Sequence, residues 1–374
     1  MARITHFFKT YFPDNQGGLE EAIRQIGKYS IKEGYKVRVV YVSDNPQHVT
    51  LDGIECISFK KNWGVSTMPI SNDLRKEFSR LVDETDIIQL HYPYPYTEML
   101  ALFNKIEKPI IITFHGEIVN RDWLLRFYGP FQRRIFKKAS VVVPTNSNLV
   151  RTTPILQKFK DKCEVINLWL DTNRFERLHD VSDEFKKKVE GYGEFALFVG
   201  VLRWYKGLDY LLDAAKKVKG NIVIVGKGPE KKHIEDRLLS EGINNVCVLG
   251  YQPDDEVAYL FKKCAFFVLP SQTRGECFGQ VLLEASYYHK PMISTNLGTG
   301  TSIANKHEYT GFVVPNKDSD ALAARMNQLF GDEELKKVMG ENAFEHYSTH
   351  FTEEIQGPKY IELYERLSNR VSKD

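Results

Sequence analysis

Short runs of β-branched and aromatic residues alternate with amphipathic stretches along almost the whole chain, in two successive series. Parallel strands need a long crossover between them, so this alternation predicts parallel α/β units. In the first series strands are expected at residues 4–8, 36–42, 87–90, 110–114, 140–144 and 163–166. Between the first two, residues 19–32 place Ala22, Ile23 and Ile26 on one helical face. The second series reads 195–200, 221–226, 246–250, 266–270, 291–294 and 311–315. Residues 171–192 separate the two as a polar linker with a short helix. A terminal helix is expected near 352–370, with Ile355, Tyr360, Leu363, Tyr364 and Leu367 as anchors.

At 374 residues, with 42% hydrophobic, the chain can build two cores at the usual size of about 100–200 residues per domain. A net charge of +2 is too mild to argue for nucleic acid as a partner. No apolar run approaches the roughly 18–20 residues that span a bilayer, and the first residues lack the apolar stretch of a signal peptide. Cys56, Cys163, Cys247, Cys264 and Cys277 form no C-x-x-C pair and read as reduced thiols. A cytoplasmic protein is the expectation.

Four segments at strand ends carry candidate chemistry. The first is Arg274-Gly-Glu276-Cys277-Phe278-Gly279, continuing to Glu284. A helix starting near Gly279 would aim its free amides at a phosphate, with Glu276 in the loop and Glu284 on the helix facing hydroxyls. The competing reading is a pair of solvated carboxylates. The second is Gly200-Val-Leu-Arg203-Trp-Tyr-Lys206-Gly207, where two cations follow a strand and precede a helix. Cations there oppose the helix dipole, which favours a diphosphate ligand over a chance basic turn. The third is Gly17-Gly18 after the first strand, a close backbone approach or a turn with positive φ. The fourth is His115-Gly-Glu, a lone histidine of a kind more often structural than catalytic. Gly226-Lys-Gly228-Pro229 lacks the third glycine of a dinucleotide fingerprint, since Lys231 stands there. Walker A and zinc spacings are absent as well.

Together these segments resemble glycosyltransferase family 4, retaining enzymes of the GT-B fold with two Rossmann-like domains facing a central cleft. The resemblance covers nearly the whole chain. Its most specific part is the acid pair Glu276 and Glu284 within E-C-F-G-Q-V-L-L-E-A. Residues 296–301 and 310–315 resemble the family's loop and strand on the C-terminal side of that pair. The opening K-T-Y-F-P-D with G-G-L-E, and L-R-W-Y-K-G, resemble bacterial enzymes of O-antigen and surface-polysaccharide assembly. The resemblance implies an acceptor-side domain over 1–168 and a nucleotide-sugar-binding domain over 169–352. A helix over about 353–374 would pack back onto the first.

It also implies roles. Lys206 and Arg203 would hold the donor diphosphate, Glu276 the transferred sugar and Glu284 the ribose. Cys277, Phe278 and Gly279 would line the donor, Gly17 and Gly18 would approach the phosphates, and His115 would lie near the sugar. Two departures stand out: Val201 where many relatives carry arginine, and Lys227 where many carry an acid.

The chemistry implied is metal-independent transfer of a hexose, with mannose from GDP-mannose preferred. The acceptor would be a lipid-linked oligosaccharide. Residues 121–138 hold six basic residues and one acid among aromatics. That composition suits peripheral contact with the inner face of a membrane. The alternative packs Trp123, Leu124, Phe127 and Phe131 inward. Two other functions remain: a UDP-sugar transferase of the same fold, and a non-catalytic binder of nucleotide sugars.

Overall fold

The computed structural model describes residues 2–65, 67–118, 122–172, 175 and 180–371. Arg121 and the side chains of residues 122–126, Trp123 and Leu124 among them, lie outside the described residues. So do 173–174 and 176–179 of the expected linker and 372–374 of the tail. The chain divides into two compact units, Met1–Trp169 with Glu353–Asp374, and Leu170–Thr352.

In the first unit the strands are β1 (Arg3–Phe7), β2 (Lys36–Ser43), β3 (His48–Leu51), β4 (Ile54–Lys60), β5 (Trp63–Val65), β6 (Met68–Ile70), β7 (Ile87–Tyr92), β8 (Ile110–Phe114) and β9 (Val141–Pro144). Seven form one sheet in the order β3-β4-β2-β1-β7-β8-β9. Its neighbours are parallel except β3 with β4. The order reverses between β1 and β7. Loops leaving those two strands diverge, which opens a crevice at their C-terminal ends. The expected strand at 163–166 does not form. Its chain touches β9 through one bridge, Val142 with Cys163, and then descends to place Trp169 in the core.

Alternation along the strands sorts the core into two faces. Phe7, Ile88, Leu90, Ile110, Ile112 and Phe114 pack one way, with Leu74, Phe78 and Phe136 from the covering helices. Ile4, Ile87, Ile111 and Val143 pack the other way, against Tyr360, Leu363, Tyr364 and Leu367 of the last helix, Glu353–Val371. That helix lies beside Gly18–Lys32.

The second unit carries β10 (Phe195–Val199), β11 (Asn221–Val225), β12 (Val246–Gly250), β13 (Phe266–Leu269), β14 (Met292–Thr295) and β15 (Gly311–Val314). All six expected strands are present. They pair in parallel in the order β12-β11-β10-β13-β14-β15. Here the reversal falls between β10 and β13. The segments holding Lys206 and Glu276 leave those two strands.

Candidate functional site

In the second unit, the loop after β10 closes in a 3₁₀ turn, Trp204–Lys206, and leaves it through Gly207 at φ 69°. A Cβ on Gly207 would stand 2.0 Å from the Pro270 carbonyl oxygen, so only glycine lets this loop meet the one after β13. Two bonds stitch the loops: the Gln272 amide to the Tyr205 carbonyl at 2.8 Å and Gln272 Nε2 to the Trp204 carbonyl at 2.5 Å.

The stitching brings Lys206 Nζ to 2.5 Å from Glu276 Oε2, with both side chains about nine-tenths buried. Ser271 Oγ donates to the same oxygen at 2.9 Å. Glu276 Oε1 has no protein partner among the described residues, and the ammonium has two further protons to give. Burial alone would pull the Lys206 pKa down. The Glu276 charge outweighs it, aided by Tyr205, and holds the ammonium above its ordinary range. The pair is largely desolvated, with about one-tenth of each side chain exposed.

Beyond Glu276 the chain turns into the helix Gln280–Tyr287 through Gly279, in the left-handed region at φ 75°. A Cβ there would fall 2.9 Å from Leu269 Cδ2. Thr299 Oγ1 donates to the Glu276 carbonyl and the Gly300 amide to the Cys277 carbonyl, both at 2.8 Å. Arg274 bolts the same strap by donating to the carbonyls of Leu297 and Gly298. Cys277 is half-buried, its thiol turned to the Gly275 and Arg274 carbonyls. The Phe278 ring is buried against Phe351. Glu284 is half-buried, little more than one turn along the helix. Arg203 is exposed, and no ion pair engages it among the described residues.

In the first unit His115 follows β8 and is buried, joined to two histidines that sequence reasoning missed. His115 Nε2 lies 2.9 Å from His91 Nδ1, and His91 Nε2 lies 2.9 Å from His6 Nδ1. Burial drives all three pKa values down, to about 3 for His6 and His115, with Lys9 adding to the effect at His115. The rings are neutral. A histidine near the end of each central strand, at 6 and 91, was the available signal.

Gly17 does not use positive φ: it caps the helix Gly18–Lys32 in an extended conformation at φ −128°. What it lacks is a Cβ, which would stand 2.5 Å from Glu20 Oε2. Glu20 is buried and its other oxygen accepts from Thr10 Oγ1 at 2.5 Å and Asn15 Nδ2 at 2.6 Å. The glycine pair thus makes room for a carboxylate that ties the 10–20 loop together.

The helix Asp122–Lys138 divides the alternatives for its aromatic residues. Tyr128, Ile135 and Phe136 are buried. Phe127 is 71% exposed and does not pack inward. Phe131 meets Phe103, itself 65% exposed, at 5.9 Å between ring centroids. Arg133, Arg134 and Lys137 are not buried, while Lys138 donates to the carbonyls of Ala101 and Asn104 and is structural. Among the described residues no helix is long and apolar enough to cross a membrane.

Residues 16–174 match the family model described as Glycosyltransferase Family 4, and 181–346 the one described as Glycosyl transferases group 1. The O-antigen chain mannosyltransferase C of Escherichia coli is 34% identical over 98% of both chains. The D-rhamnosyltransferase WbpZ of Pseudomonas aeruginosa is 33% identical, covering 94% of this chain and 92% of that one. Among solved structures, the Anabaena protein HepE, in complex with UDP and glucose, superposes with a TM-score of 0.77. It is 18% identical, over 98% of this chain and all of the other.

Proposed function

The chain belongs to glycosyltransferase family 4 and is a glycosyltransferase of the GT-B fold, and from that premise we propose that it transfers mannose from GDP-mannose, with retention, in assembling a surface polysaccharide. The observation that carries the donor site is the Lys206–Glu276 pair, about nine-tenths buried where the loops after β10 and β13 meet. Glycosyl transfer builds positive charge on the sugar and negative charge on the departing nucleoside diphosphate. Lys206 is held fully charged for that leaving group, and the amides at the start of the helix Gln280–Tyr287 add their dipole. Arg203, exposed and uncommitted to an ion pair among the described residues, supplies the second cation.

Glu276 Oε1 takes a sugar hydroxyl, which keeps the anomeric carbon in register with the phosphates. Glu284 takes the ribose. In the first unit His115 takes a sugar hydroxyl, and the loop that Glu20 ties carries the acceptor side. Attack comes on the face the leaving group departs from, which retains configuration and needs no enzyme nucleophile. The leaving group is neutralised by protein cations and amides, so turnover proceeds without a divalent metal.

The relative that leads to mannose and to an O-antigen chain is the mannosyltransferase of Escherichia coli. A UDP-sugar is the second reading, favoured by the HepE complex. The acceptor is a lipid-linked saccharide, reached from a membrane surface by Phe103, Phe127 and the basic residues beside them. Incubation with GDP-mannose, UDP-glucose and UDP-N-acetylglucosamine, reading release of the nucleoside diphosphate, tests the donor. GDP release from GDP-mannose alone supports the proposal; UDP release alone replaces it with the second reading.

A further inference from the structure

On the face of the first sheet covered by Gly18–Lys32 and Glu353–Val371, three strands bring a histidine each to their C-terminal ends. The rings follow one another in a row: His6 and His91 centroids are 5.2 Å apart, and His91 and His115 also 5.2 Å. Both ring-to-ring hydrogen bonds are 2.9 Å. The two terminal nitrogens, His6 Nε2 and His115 Nδ1, are buried without a partner among the described residues. So is Thr145 Oγ1, which stands one residue beyond the last β8–β9 pair, Phe114 with Pro144, as His115 does on the neighbouring strand.

Three neutral imidazoles carry three ring N–H protons, and two are used inside the row. A central imidazolium is excluded by burial, and a central ring without a proton is excluded at any accessible pH. Two arrangements remain. In one, every ring is protonated at Nδ1 and the spare N–H emerges at His115. In the other, every ring is protonated at Nε2 and the spare N–H emerges at His6. At the His6 end, the neighbouring strand presents Val39 and Tyr41 within an apolar cluster with Phe8 and Ile23. An N–H left unreceived there costs more than a bare acceptor, since orphaned buried donors are the rarer defect in proteins. At the other end the β8–β9 register, continued one residue past Phe114 with Pro144, sets the Thr145 hydroxyl on the strand next to the His115 position, so polar chemistry rather than an apolar wall neighbours that end.

We propose that His6 and His91 are positioning residues that lock His115 as its Nδ1–H tautomer, so that His115 offers a hydrogen-bond donor to a substrate hydroxyl that Thr145 Oγ1 also contacts. The inference rests on the transferase reading only for the identity of that hydroxyl as a sugar's. His115 then orients the sugar and never removes a proton. A single histidine would choose its tautomer by whichever ligand arrived; the row chooses beforehand.

The full-length protein labelled with [15N]histidine, observed by long-range ¹H–¹⁵N correlation and assigned through His6→Gln, His91→Gln and His115→Gln, reads the tautomers directly. The expected pattern is Nδ1–H on all three rings. Nε2–H on any one of them overturns the proposal. In turnover, His91→Leu breaks the row, and kcat is expected to fall about tenfold with the donor KM unchanged. His91→Gln, whose amide both donates and accepts, restores most of that loss. Leu and Gln variants with equal kcat overturn the positioning role. Because the tautomers are read in the resting protein, they decide the inference independently of donor turnover, whose absence would overturn the transferase reading alone.

Discussion

Replacing Lys206 with methionine keeps the length of the side chain and removes its charge. Glu276 then stays about nine-tenths buried with Ser271 as its remaining hydrogen-bond donor. Breaking a buried pair from one side typically costs about 3–5 kcal/mol, because the surviving charge is left uncompensated. The residual exposure is near one-tenth on both partners, so solvent screening discounts that figure little. At about 2–4 °C per kcal/mol for a unit of this size, the second unit should melt roughly 6–20 °C lower.

The double variant Lys206→Met with Glu276→Gln removes both charges and should recover all but about 1–2 kcal/mol. Turnover separates differently. Losing one donor aimed at a developing negative charge costs about 10²–10³ in kcat, and Glu276→Gln cannot return it. Calorimetry with the transitions of the two units fitted separately, beside a nucleoside-diphosphate release assay, measures both quantities. A single variant as stable as the parent would show the pair to be solvated. A double variant that regains turnover would show that Lys206 serves only to neutralise Glu276.

Arg203→Ala, at an exposed side chain outside any described ion pair, should leave stability within about 0.5 kcal/mol while lowering kcat/KM for the donor; equal kinetics remove it from the site. The histidine row predicts acid sensitivity. His6 and His115 have folded pKa values near 3 against about 6.5 unfolded, so the unfolded chain binds more protons below pH 6.5. Stability should fall as pH drops from 6.5 toward 3, by about 2 kcal/mol for each of the two at pH 5. Urea midpoints across that range in His6→Gln check it, the acid limb becoming shallower. Glu98 behaves oppositely: burial raises it to about 8, against a hydrogen bond from the Tyr94 amide. The folded state therefore holds its proton longer, and stability declines as pH rises from about 4.3 to 8. Glu98→Gln should flatten that alkaline limb in the same titration. Phe103→Ser with Phe127→Ser should weaken sedimentation with anionic liposomes at least severalfold, and unchanged binding would move the membrane contact elsewhere.

The second unit was legible almost strand for strand because each of its strands is a short apolar run ended by glycine, proline or a polar residue. The first unit was less so. The β3–β4 hairpin was missed although Asp52-Gly53 stands at its turn, with φ 52° and 80°, the signature of a two-residue hairpin loop. Its strands are half-exposed and alternate with polar residues, so they lack the continuous apolar run that marked their neighbours. The opposite error occurred at 163–166. That stretch has strand composition, but the chain is already being drawn under the C-terminal helix by Trp169, a tertiary pull that no local window contains.

The same distinction separates the two halves of the candidate site. Lys206 and Glu276 could be named from sequence because each sits where a strand ends and a helix begins, and the topology alone brings such ends together at the switch between β10 and β13. That the ammonium and Ser271 share one Glu276 oxygen was not legible, since it depends on Gly207 meeting the Pro270 carbonyl. The histidine row lay further from view. His6 and His91 lie on β1 and β7, which pair where the sheet order reverses, and His115 follows β8, so their meeting follows from register. A lone histidine after a strand is weak evidence of anything. Three on one face at adjacent strand ends make a single object, whose proton count leaves just two states. The chemistry of His115 is thus written in residues 24 and 109 positions away from it in the chain, and reading it required the sheet.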